Sequence, residues 1–262
     1  MLLAIIFVSL AFFLTTAFYF KSKLRQSKST ETKEECLLTM YKKAVCEART
    51  PHRRPKARLH SIHDGNPHLE WKEIDGKRHV KMTTWKYQAD CFKTDILTIG
   101  NWNIWVTIPS ELKRFGEDFI SKNPTATLEK TSLRIKQVLG LPYQNQYNYF
   151  VEFWVKPGDL VRPSHNPDVT NAHCEPIFHE NTCPKHKKWI EELQQSIYVC
   201  EVDGQNLGYP WTQLGYTYDW CSESQNNIGL TEFCVKHDST IHIEKIYSTE
   251  GYFQQFHPLE NA

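Results

Sequence analysis

The chain has 262 residues, of which 40% are hydrophobic and 23% charged, an ordinary globular composition that excludes wholesale disorder. Its net charge is +1, yet the first thirty residues carry four basic and no acidic side chains, so the remainder holds −3 and is no generic binder of nucleic acid or other polyanions. No Gly-rich phosphate loop, Gly-x-Ser-x-Gly elbow or His-Glu-x-x-His pair occurs, which removes several common hydrolase and nucleotide-binding classes.

Met1 to Phe20 holds no charged side chain, and at ~1.5 Å per residue a helix of that length matches the hydrocarbon core of a bilayer. No basic residue precedes the apolar run, and Phe18, Tyr19 and Phe20 continue past the small pair Thr15 and Ala17, so a retained anchor is expected over a cleaved signal. Lys21, Lys23, Arg25 and Lys28 would hold the following flank in the cytoplasm by the positive-inside rule. The eight cysteines (Cys36, Cys46, Cys91, Cys174, Cys183, Cys200, Cys221, Cys234) all lie beyond the anchor and argue for an oxidising compartment, so an extracytoplasmic domain held to the membrane by its N-terminal helix is expected. Residues 21–35 read as a flexible tether and 36–262 as the globular domain. In RTPHRRPKAR, Arg49, Arg53, Arg54, Lys56 and Arg58 form either a solvated linker or a contact for anionic headgroups.

His68 to Trp85 alternates around Asp75-Gly76 and predicts a tight hairpin. Asp95 to Pro109 reads as two short strands joined at Gly100-Asn101. Ser110 is expected to cap a helix over Glu111 to Ser121, and a second helix covers Leu128 to Leu139, stopped by Gly140 and Pro142. Asn148 to Val155 is rich in aromatic and β-branched residues, as a central strand is. A long proline-bearing loop follows, and Pro184 opens a third helix. Leu214 to Trp220 reads as a strand, and TEFCVK and TIHIEKIY as a closing hairpin around His237-Asp238-Ser239. The expected class is α+β: one domain with a mostly antiparallel sheet and about three helices, after the transmembrane anchor.

Two Cys/His groups bear on metal chemistry. His60, His63 and Asp64 precede a Gly-Asn-Pro turn and read as loop residues rather than ligands. His173, Cys174, His179, Cys183 and His186 lack the usual zinc spacing, so a disulfide from Cys174 to Cys183 stapling the loop is expected, with no metal.

In GLTEFCVKHDSTIHIEKI, Glu232 stands at the mouth of an apolar-alternating strand followed by a polar turn and a second such strand. This segment resembles the closing segment of ADP-ribosyltransferase and NAD-glycohydrolase folds, where a glutamate begins such a strand. The resemblance implies that Glu232 stabilises positive charge developing on a ribose as nicotinamide leaves, that aromatic residues line the ring's pocket, and that NAD is a substrate rather than a resident cofactor. Arg134 would grip a pyrophosphate through its planar fork. The segment GYPWTQLGYTYDW carries Tyr209, Trp211, Tyr216, Tyr218 and Trp220, which form either a wall against a flat ring or a buried aromatic stripe. LRIKQVLGLP, YFVEFWVKPGDL, YPWTQLGYTYDW and GLTEF together resemble an uncharacterised family of membrane-anchored bacterial proteins, which implies an anchor and one domain but no reaction.

The expected function is therefore binding of a nucleotide-like molecule and cleavage of an N-glycosidic bond through Glu232 and Arg134. The alternative is a non-catalytic envelope protein whose aromatic surface and proline-rich loop bind a protein or glycan partner. A concave pocket shared by Glu232 and a basic group separates the first from the second.

Overall fold

The computed structural model describes residues 32–199 and 206–257. The expected anchor, residues 1–20, and Cys200 lie outside the described residues, among which no helix is long and apolar enough to cross a membrane. The chain divides into two compact units, residues 1–40 and 41–262. Helix α1 spans 32–48, so residues 32–35, read above as tether, are helical. Within the second unit its Tyr41, Ala44, Val45 and Ala48 are buried, the i, i+3, i+4, i+7 spacing of one helix face.

The second unit is α+β, with antiparallel sheets throughout. Strands β1 (Trp71–Ile74) and β2 (Lys77–Lys86) meet at Asp75 and Gly76, both with left-handed backbone (φ 52° and 68°), the conformation a two-residue hairpin turn requires. Strand β3 (Ile96–Thr98) and strand β4 (Ile104–Val106) do not pair with each other but enter different sheets. Helix α2 (Pro109–Lys122) buries Leu112, Gly116 and Ile120. Pro109 opens it and Ile108 stands at the N-cap, while Ser110, expected as the cap, donates its hydroxyl to His68 O at 2.5 Å.

Helix α3 (Leu128–Val138) is capped by Thr127, whose hydroxyl accepts from Lys130 N–H, and it ends at Gly140 (φ 66°), where Leu141 N–H donates to Lys136 O. Strand β5 (Tyr149–Val155) is buried on both faces at the centre of a five-stranded sheet of order β1-β2-β5-β10-β3, where β10 is Thr240–Ser248. That double burial accounts for its mostly apolar composition, interrupted by the buried Glu152. Helix α4 (Pro184–Ser196) begins at the expected proline, and the short α5 (Thr249–Phe253) brings the described helices to five where the periodicity had shown about three.

A three-stranded sheet, β4-β9-β6, comprises β4, β9 (Phe233–Val235) and β6 (Leu160–Val161). The predicted closing hairpin is thus corrected: β9 and β10 follow one another in sequence but pair in different sheets, because the left-handed Asp238 (φ 60°) redirects the chain between them. The two sheets touch at Thr83 and Thr107, which exchange backbone hydrogen bonds at 3.0 Å. A two-stranded ribbon joins β7 (Tyr216–Tyr218) to β8 (Ile228–Thr231).

The seven described cysteines are free, so the expected Cys174–Cys183 disulfide is absent. Cys174 is buried with its sulfur 3.3 Å from Ser164 Oγ, whereas Cys183 sits at the N-cap of α4. Arg162 holds the loop instead. Its Nη2 donates to His60 O, Val169 O and Asn171 O at 3.0–3.3 Å, which draws three backbone carbonyls onto one guanidinium.

Candidate functional site

Glu232 lies between β8 and β9, its amide donating to Gly215 O at 3.0 Å. Gly215 has φ 76° and faces Arg162, and a Cβ there would stand 2.7 Å from Arg162 Cδ. Glycine at this turn therefore lets the arginine stem and the Glu232 backbone share one small space. The Glu232 carboxyl is buried, its Oε1 has no hydrogen-bond partner, and desolvation pushes its pKa up to about 8 against the opposing pull of Arg162. Arg162 is wholly buried with its guanidinium 4.6 Å over the Phe233 ring, and its Nη1 is also unpartnered. At neutral pH the carboxyl is thus a protonated acid able to donate a proton.

Glu232 is one of the residues lining a cavity of about 430 Å³, within the range of small-molecule sites. Thr83, Thr107 and Glu232 lie where the two sheets meet, and Trp85, Trp105 and Tyr147 add aromatic wall. The C-terminal end of α3 contributes Leu139, Gly140 and Leu141. Much of the polar lining is committed to the fold: Thr107 donates to Thr231 O, Thr84 to Trp105 O and Thr217 to Val138 O. Beside Glu232, the charged group on this wall is Lys86 at the end of β2, whose pKa burial lowers.

Of the aromatic residues singled out in the sequence, Tyr209, Trp211 and Tyr218 line this cavity. Trp211 turns its indole N–H away to Pro163 O at 2.9 Å and leaves its ring for the wall. Tyr216 and Trp220 go elsewhere. Tyr216 packs with Leu59, Cys174 and Leu214 and donates to Pro55 O, while Trp220 meets Tyr41 edge-on and donates to Leu141 O. A register shift between Tyr216 and Tyr218 breaks the two-residue alternation that had put all three on one face.

Arg134 does not line the cavity. It forms a two-pronged pair with Asp219 at 2.9 and 2.7 Å and lies over the Phe115 ring, so its fork is spent within the fold. Lys86, Arg162 and Tyr147 escaped the sequence reading. The signal for Arg162 was a lone arginine between an apolar pair and a proline, in a loop long enough to need an internal tie.

A second titratable group lies behind Thr231. Glu111, in the first turn of α2, accepts from Thr231 N–H and Oγ1–H, and burial raises it to about 7. His60 stands 4.0 Å from it and is lowered to about 4 by burial and by His68. His63 instead accepts from Gly65 N–H, and Asp64 pairs with Arg78, so the three residues of that motif face different partners.

Comparison with family models, curated proteins and solved structures finds no significant match to the chain.

Proposed function

We propose that this is a membrane-tethered domain that binds a compact, ring-bearing, nucleoside-like molecule in the Glu232 cavity and cleaves its N-glycosidic bond. The observation carrying this reading is that Glu232, a lining residue of an aromatic cavity, has a buried, unpartnered carboxyl whose pKa burial raises to about 8. A base leaving from a sugar departs more easily when protonated, and a carboxylic acid with a pKa near the working pH supplies that proton efficiently. The role differs from that implied by the family resemblance, in which an ionised carboxylate stabilises a cation. The Glu232 proton passes to a ring nitrogen, the glycosidic C–N bond breaks with its electron pair moving to the base, and water adds to the sugar cation and gives up a proton that restores the Glu232 acid.

Tyr209, Trp211 and Tyr218 supply flat surface for the ring. Lys86 replaces Arg134 as the basic group sharing the cavity with Glu232, and one half-buried ammonium suits a ligand with at most one anionic group better than a full pyrophosphate. The concave position of the aromatics disfavours the alternative of a flat partner-binding patch, since Trp211 and Tyr218 are each 3% exposed.

The test is to incubate the full chain with purine nucleosides and, separately, with NAD, and to measure released base or nicotinamide by chromatography. Release of purine base exceeding that of nicotinamide, and lost in Glu232→Gln, is expected. No release from either substrate class by folded protein, or equal release by the variant, refutes catalysis.

A further inference from the structure

Tyr198, whose ring stacks on Trp211 at 6.2 Å, lines a second and more open cavity of about 390 Å³. Arg49, His52 and His165 also line it, together with Gln194 and Gln213, and among the described residues no carboxylate does. Its polar wall is ordered before any ligand arrives. Gln194 Nε2 donates to Gln213 Oε1 at 2.7 Å, Gln213 Nε2 donates to Tyr198 Oη at 2.8 Å, and the Tyr198 hydroxyl donates to Trp211 O at 2.6 Å. Arg49 is steered to the rim by one donated bond to Tyr198 O at 3.0 Å and by lying over the Tyr198 ring. That leaves most of its five N–H donors for something else.

Two features of this wall are costly for the protein alone. His165 is 7% exposed, packs its ring on Phe178 and has a buried Nδ1 without a hydrogen-bond partner. Gln213 holds a left-handed backbone (φ 64°) that a non-glycine residue rarely adopts. Together they set donor-bearing side chains around a space lined by basic groups.

The geometry points to a binding site for a phosphate-type oxyanion, gripped by Arg49 and hydrogen-bonded by His52 and His165. A planar guanidinium at the rim matches two phosphate oxygens, and imidazoles become donors beside a dianion. Burial, His52 and His186 keep His165 neutral in the free protein, with a pKa of about 4, so a bound dianion has ample room to raise it. The phosphate comes from either a phospholipid headgroup or a soluble phosphate ester, and the basic segment from Arg49 to Arg58 fits both.

The full chain in detergent micelles, with isotope-labelled histidine, is titrated at constant ionic strength with inorganic phosphate and with the short-chain lipid dihexanoylphosphatidate. A saturable shift of the His165 ring resonances toward the protonated form is expected, weakened about tenfold in Arg49→Gln. Tighter binding of the short-chain lipid than of phosphate supports a headgroup as the source, and equal or weaker lipid binding supports a soluble ester. No saturable shift with either probe, or unchanged affinity in a folded Arg49→Gln, overturns the site. Because His165 is buried, His165→Gln serves as the second variant, read on the His52 ring resonances, and its unchanged affinity with an otherwise native spectrum overturns the assignment equally.

Discussion

Arg134 and Arg162 are both buried or nearly so, but they solve the problem of a buried cation in opposite ways. Arg134 closes a two-pronged pair with Asp219, so both charges are answered within the fold. Arg162 is directed to three loop carbonyls, and the nearby carboxyl of Glu232 is left protonated at neutral pH. A satisfied ion pair resists change and stabilises, whereas an unanswered acid beside a cavity can still exchange a proton with a ligand.

The sharpest way to break this contrast is Glu232→Gln. Base release should fall by about two to four orders of magnitude, the usual range for a lost proton donor, with the fold retained because a neutral amide replaces a neutral acid. Enzyme assay alongside a thermal melt checks both halves. Asp219→Ala should do the reverse: it strands Arg134 and costs about 3–5 kcal/mol of stability by chemical denaturation, while the pH dependence of any activity keeps its shape.

pH distinguishes the regions again. Glu232 has a folded pKa of about 8, above the ordinary 4.5, so its contribution to stability is complete below pH 4.5 and is lost as pH rises through about 8. Glu111 adds a loss of the same sign that ends near 7. Melting temperature measured against pH should therefore decline across this window in the native protein, and Glu232→Gln should abolish the part of the decline between about 7 and 8. Activity that needs the protonated acid falls over that same upper range.

Lys86→Met should weaken an anionic ligand about tenfold while leaving an uncharged nucleoside nearly unaffected, as measured by paired titrations. Tyr216→Phe marks the small end of the scale. It removes one hydrogen bond, to Pro55 O, and should cost about 1 kcal/mol of stability without altering ligand affinity, because its ring lies in the satellite core rather than the cavity.

Much of the architecture was legible from local pattern. The Asp75-Gly76 turn, the central strand around Phe153 and the proline-led α4 each depend on neighbours along the chain. Helix α1 was not read from the sequence, although Tyr41, Ala44, Val45 and Ala48 are spaced as one helix face, because its polar start reads as tether. Of the residues proposed for the candidate site, Glu232, Tyr209, Trp211 and Tyr218 line one cavity.

The rest depended on long-range placement. A register shift in the β7–β8 ribbon sent Tyr216 away from the face that Tyr218 occupies, and no count along the chain reveals a shift of one residue. Arg134 finds its partner 85 residues away, and Arg162 ties its own loop to His60 O, 102 residues away. Composition and periodicity determined the mixed helix and sheet content, the basic N-terminal segment and a glutamate beside an apolar strand. Only the tertiary structure decided that this glutamate would be buried and protonated, because desolvation is a property of what surrounds a group in space and not of its sequence neighbours.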